Sequence, residues 1–158
     1  MEKIDWKNLS YYDFIGFVAV AAFLLFVLYF GGLWYATYDY RIQMRDQMVE
    51  MYKQLPNPIP PIEDDYGVHQ RWLVFYIDGV KVLNKPQPEN VINEYKKALE
   101  KEGWATEREY EHVRNDKNKI YGINMRKGEF ILSVSARENR DSINIHLIKR
   151  DWIYNKGF

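Results

Sequence analysis

Residues 14–38 read FIGFVAVAAFLLFVLYFGGLWYATY, 25 positions without Asp, Glu, Lys, Arg or His, bracketed by Asp13 and Asp39. At about 1.5 Å per residue a helix of this run measures roughly 37 Å, enough to cross a hydrocarbon core of about 30 Å. Its centre is apolar on every side, so no face of it is suited to water. The rest of the chain is too short to build a soluble core around such a helix. Tyr11 and Tyr12 precede the run, and Trp34, Tyr35 and Tyr38 close it. Amphipathic rings at both ends are what the two water–lipid interfaces favour, so these five are read as interface anchors. The reading is a short tail over 1–13 and a transmembrane helix over 14–38.

A cleaved signal sequence is the competing assignment. Ala19-Val20-Ala21 has the small-x-small pattern of a cleavage site, but FLLFVLYF still follows it. An uncleaved signal anchor fits better. Basic residues are nearly balanced across the run: Lys3 and Lys7 before it, Arg41, Arg45 and Lys53 after it. Because short amino-terminal tails of signal anchors usually remain cytoplasmic, the carboxyl-terminal part is expected to be extracytoplasmic. Gly32 and Ala36 have small-xxx-small spacing, a candidate for helix packing.

Beyond the run, apolar positions Ile42, Met44, Met48, Met51, Tyr52 and Leu55 recur at mostly helical spacing, which predicts a juxtamembrane helical extension over 39–55. Its methionines are expected to cover the domain that follows. Pro56, Pro58, Pro60 and Pro61 end the helix. LPNPIPPIEDD reads as a stiff Pro-rich linker, 56–65, with an acidic end. Its carboxylates lack the alternating ligands and glycine turn of a calcium loop.

Residues 66–158 are assigned to a soluble α+β domain. Asp78-Gly79 lies between the β-rich run from Trp72 to Ile77 and VKVL, which predicts a hairpin turn there. PENVINEYKKALEKEG opens on proline and closes on Gly103, placing Val91, Ile92, Tyr95, Ala98 and Leu99 on one face of a helix. Period-two alternation then recurs in EREYEHV, IYGINMR, EFILSVS and SINIHLIK. The predicted fold is α+β: an N-terminal transmembrane helix followed by a small two-layer domain, one helix packed on an antiparallel β-meander, ordered β-β-α-β-β-β-β.

Composition excludes several chemistries. With no cysteine, disulfides, thiolate metal sites and cysteine nucleophiles are ruled out. Lys plus Arg and Asp plus Glu each total 22, without the basic excess of a nucleic-acid binder. Residues 1–65 hold five basic and nine acidic groups, and residues 66–158 hold 17 and 13, so the domain is mildly basic. His69, His112 and His146 have no metal-motif spacing. Ser133 and Ser135 alternate with Leu132 and Val134 as the polar side of a strand, without a nucleophile elbow. Glu107, Glu109 and Glu111 line an exposed strand and are expected to pair with basic neighbours. No catalytic, cofactor or metal site is assigned. Tyr110, Lys149, Arg150, Trp152 and Tyr154 form a candidate partner surface.

Gly16-Phe17 and a long amino-terminal helix leading to an antiparallel sheet resemble type IV pilins and pseudopilins, although Ala21 stands where that family carries glutamate. The resemblance implies assembly through the amino-terminal helix. The leading expectation is a non-enzymatic, single-pass membrane protein that displays an accessory or interaction domain to an envelope protein or a second copy of itself. Pilin-like assembly is the first alternative, and a membrane-anchored hydrolase the second. The expected surroundings are a lipid bilayer, with neither nucleic acid nor metal.

Overall fold

The computed structural model describes residues 11–71, 74–84, 87–113 and 118–149. Their contacts divide the chain into two compact units, Met1–Ile42 and Gln43–Phe158. The first contains helix α1, Tyr11–Ala36, and the start of helix α2, Tyr38–Lys53. The two helices are separated only by Thr37, through which the i→i−4 ladder continues: Thr37 N–H donates to Leu33 O, and Arg41 N–H to Thr37 O, each at 3.0 Å. The Thr37 hydroxyl also donates to Leu33 O, at 2.8 Å. Such back-bonding competes with the helical ladder and marks where it is irregular.

Within α1, Phe14–Ala36 is long and apolar enough to span a membrane, and the most apolar part of it is unburied. From Phe14 to Tyr29 nearly every large side chain, including Phe17, Phe23, Leu25 and Leu28, is exposed. The helix has no dry side and no polar side.

The second unit is a six-stranded antiparallel sheet with helices on one face. After α2 come β1 (Glu63–Arg71), β2 (Val74–Val82), α3 (Pro88–Lys101), β3 (Ala105–Val113), β4 (Lys119–Lys127), β5 (Phe130–Arg137) and β6 (Ser142–Lys149). Their spatial order is β1-β2-β6-β5-β4-β3. The last four strands form the expected meander, and the β1–β2 hairpin adds to it through β2 beside β6. The α+β class and the elements from α3 onward are therefore those predicted, whereas the first two strands agree in number only: the hairpin expected about Asp78-Gly79 lies inside β2, and β1 precedes it.

The core follows from the alternation. Ile123 and Met125, Leu132 and Val134, and Ile143, Ile145 and Leu147 are all at most 1% exposed. Opposite them α3 buries Val91, Ile92, Tyr95 and Leu99. Gly103, at φ +83°, takes the left-handed position after the helix. Trp104 then folds back, its N–H donating to Leu99 O at 3.0 Å. The second half of α2 buries Met44, Met48 and Tyr52, as does Leu55 after it, and Tyr52 stands against Gly79 of β2.

Two expectations need correction. Asp78-Gly79 is not a turn. Both residues lie inside β2, with Asp78 opposite Gly67 and Gly79 opposite Tyr66. The glycine answers to packing instead: a Cβ there meets the Tyr52 hydroxyl oxygen at 2.0 Å. Trp72 and Leu73, read as the start of that strand, lie outside the described residues. The acidic end of the linker, Glu63–Asp65, opens strand β1. β1 is an edge strand of largely exposed side chains, so it carries no period-two apolar pattern to be read.

Candidate functional site

Three polar constellations are built on this frame. The first joins α2, the proline spacer and the β1–β2 hairpin. Tyr52 donates its hydroxyl to Asp64 Oδ1 at 3.1 Å, and its ring lies 4.8 Å from that of Tyr66. Lys81 is only 1% exposed, yet its Nζ is 3.2 Å from Asp64 Oδ2 and donates to Asn57 Oδ1. Burial first, then the Asp64 charge, pushes the Tyr52 phenol well above its ordinary range, which keeps it a neutral donor. A buried lysine can serve as a nucleophile when deprotonated. Here Nζ is engaged by both Asp64 and Asn57, so the group acts as a clasp between the spacer and the sheet.

The second lies on the face of the sheet away from the helices. Register places Gly67, Asp78, His146, Ser133, Asn124 and Arg108 in one row across all six strands. His146 Nδ1 is 2.5 Å from Asp78 Oδ1. His69 Nε2 approaches the same carboxylate at 3.8 Å, and its ring stacks on Tyr76 at 5.1 Å. Asp, His and Ser in one row have the composition of a nucleophilic triad. The geometry differs: among the described residues no hydrogen bond links His146 to Ser133, and the strand N–H groups that could stabilise an oxyanion are committed to the ladder. Asp78, His69 and His146 side chains are about half exposed, so water screens them. Among the described residues no group of three His, Asp or Glu is placed to hold a metal ion.

The acidic row of β3 pairs as expected. Glu107 meets Arg126, Glu109 meets Lys96 at 2.6 Å, and Glu111 meets Lys119 at 2.7 Å. The hydrogen bond from Lys96 to Glu109 raises the lysine pKa. A shallow groove of about 260 Å³ runs between α3 and this edge, lined by Glu89, Ile92, Asn93, Tyr110 and Tyr121 among others.

The third is at the carboxyl end of the apolar helix. Arg41 reaches back two turns: Nη2 donates to Trp34 O at 2.8 Å, and the guanidinium carbon stands 3.5 Å over the Trp34 ring. Arg41 is 7% exposed, and its buried Nε has no acceptor. An open groove of about 770 Å³ is lined here by Gly31, Trp34, Tyr35, Tyr38, Asp39 and Arg41.

The interface anchors Trp34, Tyr35 and Tyr38 thus share one groove and are exposed. Tyr11 and Tyr12 begin α1. Around Gly32 a Cβ meets nothing within 4 Å, so that surface is open. The candidate partner surface is not brought together. Tyr110 lies on β3 at one edge, whereas Lys149 ends β6, three strands and roughly 14 Å away. Lys149 is engaged on the helix side, donating to Gln47 Oε1 at 3.0 Å. Arg150, Trp152 and Tyr154 lie outside the described residues.

No protein-family model and no curated protein matches this sequence.

Sequence reading missed Arg41, whose burial depends on a ring two turns away, and the Lys81 clasp. The bare lysine in VKVL was the available sign, since an alternating strand places it on the side of Ile77 and therefore demands a buried partner.

Proposed function

We propose that this is a non-enzymatic, single-pass membrane protein that holds a small α+β domain beside the bilayer and binds a partner protein with the open face of its sheet. The observation that carries this reading is the wholly apolar, unburied surface of Phe14–Ala36. Leaving that much hydrocarbon in water is strongly unfavourable, and lipid removes the cost. The clasp supports an accessory role, because it immobilises the helix-to-sheet connection without presenting a reactive group. The partly exposed row from Asp78 to Arg108 offers mixed polar contacts, and the partly buried Tyr76 ring beside it offers an anchor of the kind favoured at protein interfaces.

In this reading the domain is extracytoplasmic. Protease treatment of intact spheroplasts tests it, and complete protection of the domain overturns the orientation. Photocrosslinking from Ser133, followed by mass spectrometry, tests the partner surface. A defined heteromeric adduct supports the reading; long homopolymers support pilin-like assembly instead.

A further inference from the structure

The open face of the sheet carries a second row beside the one from Asp78 to Arg108. Register sets Tyr76, Ile148, Ile131 and Arg126 side by side on β2, β6, β5 and β4. The helices lie on the other face, so Tyr76, Ile148 and Ile131 stay only partly buried. Charge is spread unevenly across the same face. Asp65 and Asp78 stand on β1 and β2, Arg108 and Arg126 on β3 and β4. Asp65 and Arg108 are exposed, and among the described residues neither has a partner.

Such a face complements itself in one orientation. Half a turn about an axis parallel to the strands, between β6 and β5, sets β1 over a second copy's β3, β2 over its β4 and β6 over its β5. Ile148 then meets the other copy's Ile131, and the Tyr76 ring meets its Arg126. Asp65 and Asp78 meet the half that bears its Arg108. Half a turn about an axis across the strands instead sets β1 on β1 and brings the carboxylates together. The strand-parallel axis also keeps the Gln47 end of α2, held by Lys149 at 3.0 Å, at the same end of both copies, as two chains anchored in one bilayer require. Six strands of eight or nine residues, spaced about 4.8 Å, present roughly 650 Å² per copy. Two such faces bury roughly 1,300 Å², within the range of about 1,200–2,000 Å² for specific, stable interfaces.

We propose that two copies of this chain pair in this way, open face on open face, with Ile131 and Ile148 at the centre and Asp65 and Arg108 at the flanks. The proposal rests on the reading that the open face binds a partner, and names that partner as a second copy.

The chain has no cysteine, so single introduced thiols report the pairing. Full-length Ser133→Cys, expressed in its cells of origin, is treated with a bismaleimide matched to the roughly 10 Å between packed sheets, and adducts are identified by mass spectrometry. One adduct of twice the chain mass is expected, and none from Lys97→Cys on the exposed side of α3. Sedimentation of the purified full chain in micelles then gives the dimer constant. Arg108→Glu and Asp65→Lys are each expected to weaken it about tenfold, and the double variant to return it to within about threefold of the unaltered chain. An adduct with a different protein only overturns self-pairing and leaves the open-face reading standing, whereas no adduct of any kind overturns both. A ladder beyond two copies, unchanged dimerisation in both single variants, or a double variant no tighter than either overturns the proposal.

Discussion

Lys81 and Asp64 depend on each other unequally. The lysine side chain is 2% exposed and the aspartate 34%. Removing the carboxylate leaves a buried ammonium with Asn57 alone, whereas removing the ammonium leaves a carboxylate that water can reach. Asp64→Ala is therefore expected to destabilise the full chain by about 2–4 kcal/mol, and Lys81→Met by clearly less, in urea unfolding followed by circular dichroism in micelles. Equal losses would show that the pair is not desolvated as described. Tyr95 gives a second test. It is 1% exposed, and its hydroxyl has no partner. Burial first, then the Asp64 charge, raises its pKa above the ordinary 10.0. The neutral phenol is favoured in the fold, so its contribution is complete below about pH 10 and declines as pH rises further. Tyr95→Phe is expected to leave the melting temperature at pH 8 unchanged or higher and to flatten its fall between pH 9 and 11. An unaltered fall in the variant would remove Tyr95 as a cause.

Elements were legible in the sequence where one face of each is buried. α3 and β4 to β6 bury Val91, Ile92, Tyr95 and Leu99, Ile123 and Met125, Leu132 and Val134, and Ile143, Ile145 and Leu147, so their periods of about 3.6 and of 2 stand out. β1 was not legible, because EDDYGVHQR is held by its ladder to β2 and by Tyr66 and Asp64 rather than by an apolar stripe. Asp78-Gly79 has the local chemistry of a turn; only Tyr52, 27 positions earlier in the chain, shows that the glycine makes room for a ring. The ion pairs of β3 were legible as a class, since a row of like charges on an exposed strand needs opposite neighbours. Two glycines make the distinction measurable. Gly79→Ala drives a methyl into the Tyr52 ring and is expected to cost about 1–3 kcal/mol. Gly103→Ala meets no atom but is strained at φ +83°, and is expected to cost about 1 kcal/mol. Restoring stability to Gly79→Ala with Tyr52→Leu, but not to Gly103→Ala, is the expected pattern in unfolding of the double variants.

At the scale of the molecule, one helix decides the environment of the rest. Phe14–Ala36 has the length and composition of a span, and the same features describe a signal sequence or a processed filament subunit. Mass and membrane retention together separate the three. An anchor leaves the unshortened chain, 19.0 kDa for these 158 residues, in the membrane pellet after alkaline carbonate. Cleavage beyond Ala21 gives a shorter product that is released, and processing after Gly16 gives one that is shorter yet retained. The expected result is the full mass in the pellet. Leu25→Arg then tests the solvation argument, because Leu25 is at the middle of the run and 68% exposed. A central arginine costs about 2.5–3.5 kcal/mol in insertion. The variant should therefore shift measurably toward the uninserted form in a translocation assay, while Leu25→Phe should not. Identical insertion of Leu25→Arg would mean that this face of the helix does not meet lipid, and the exposed apolar surface would then have to be covered by protein.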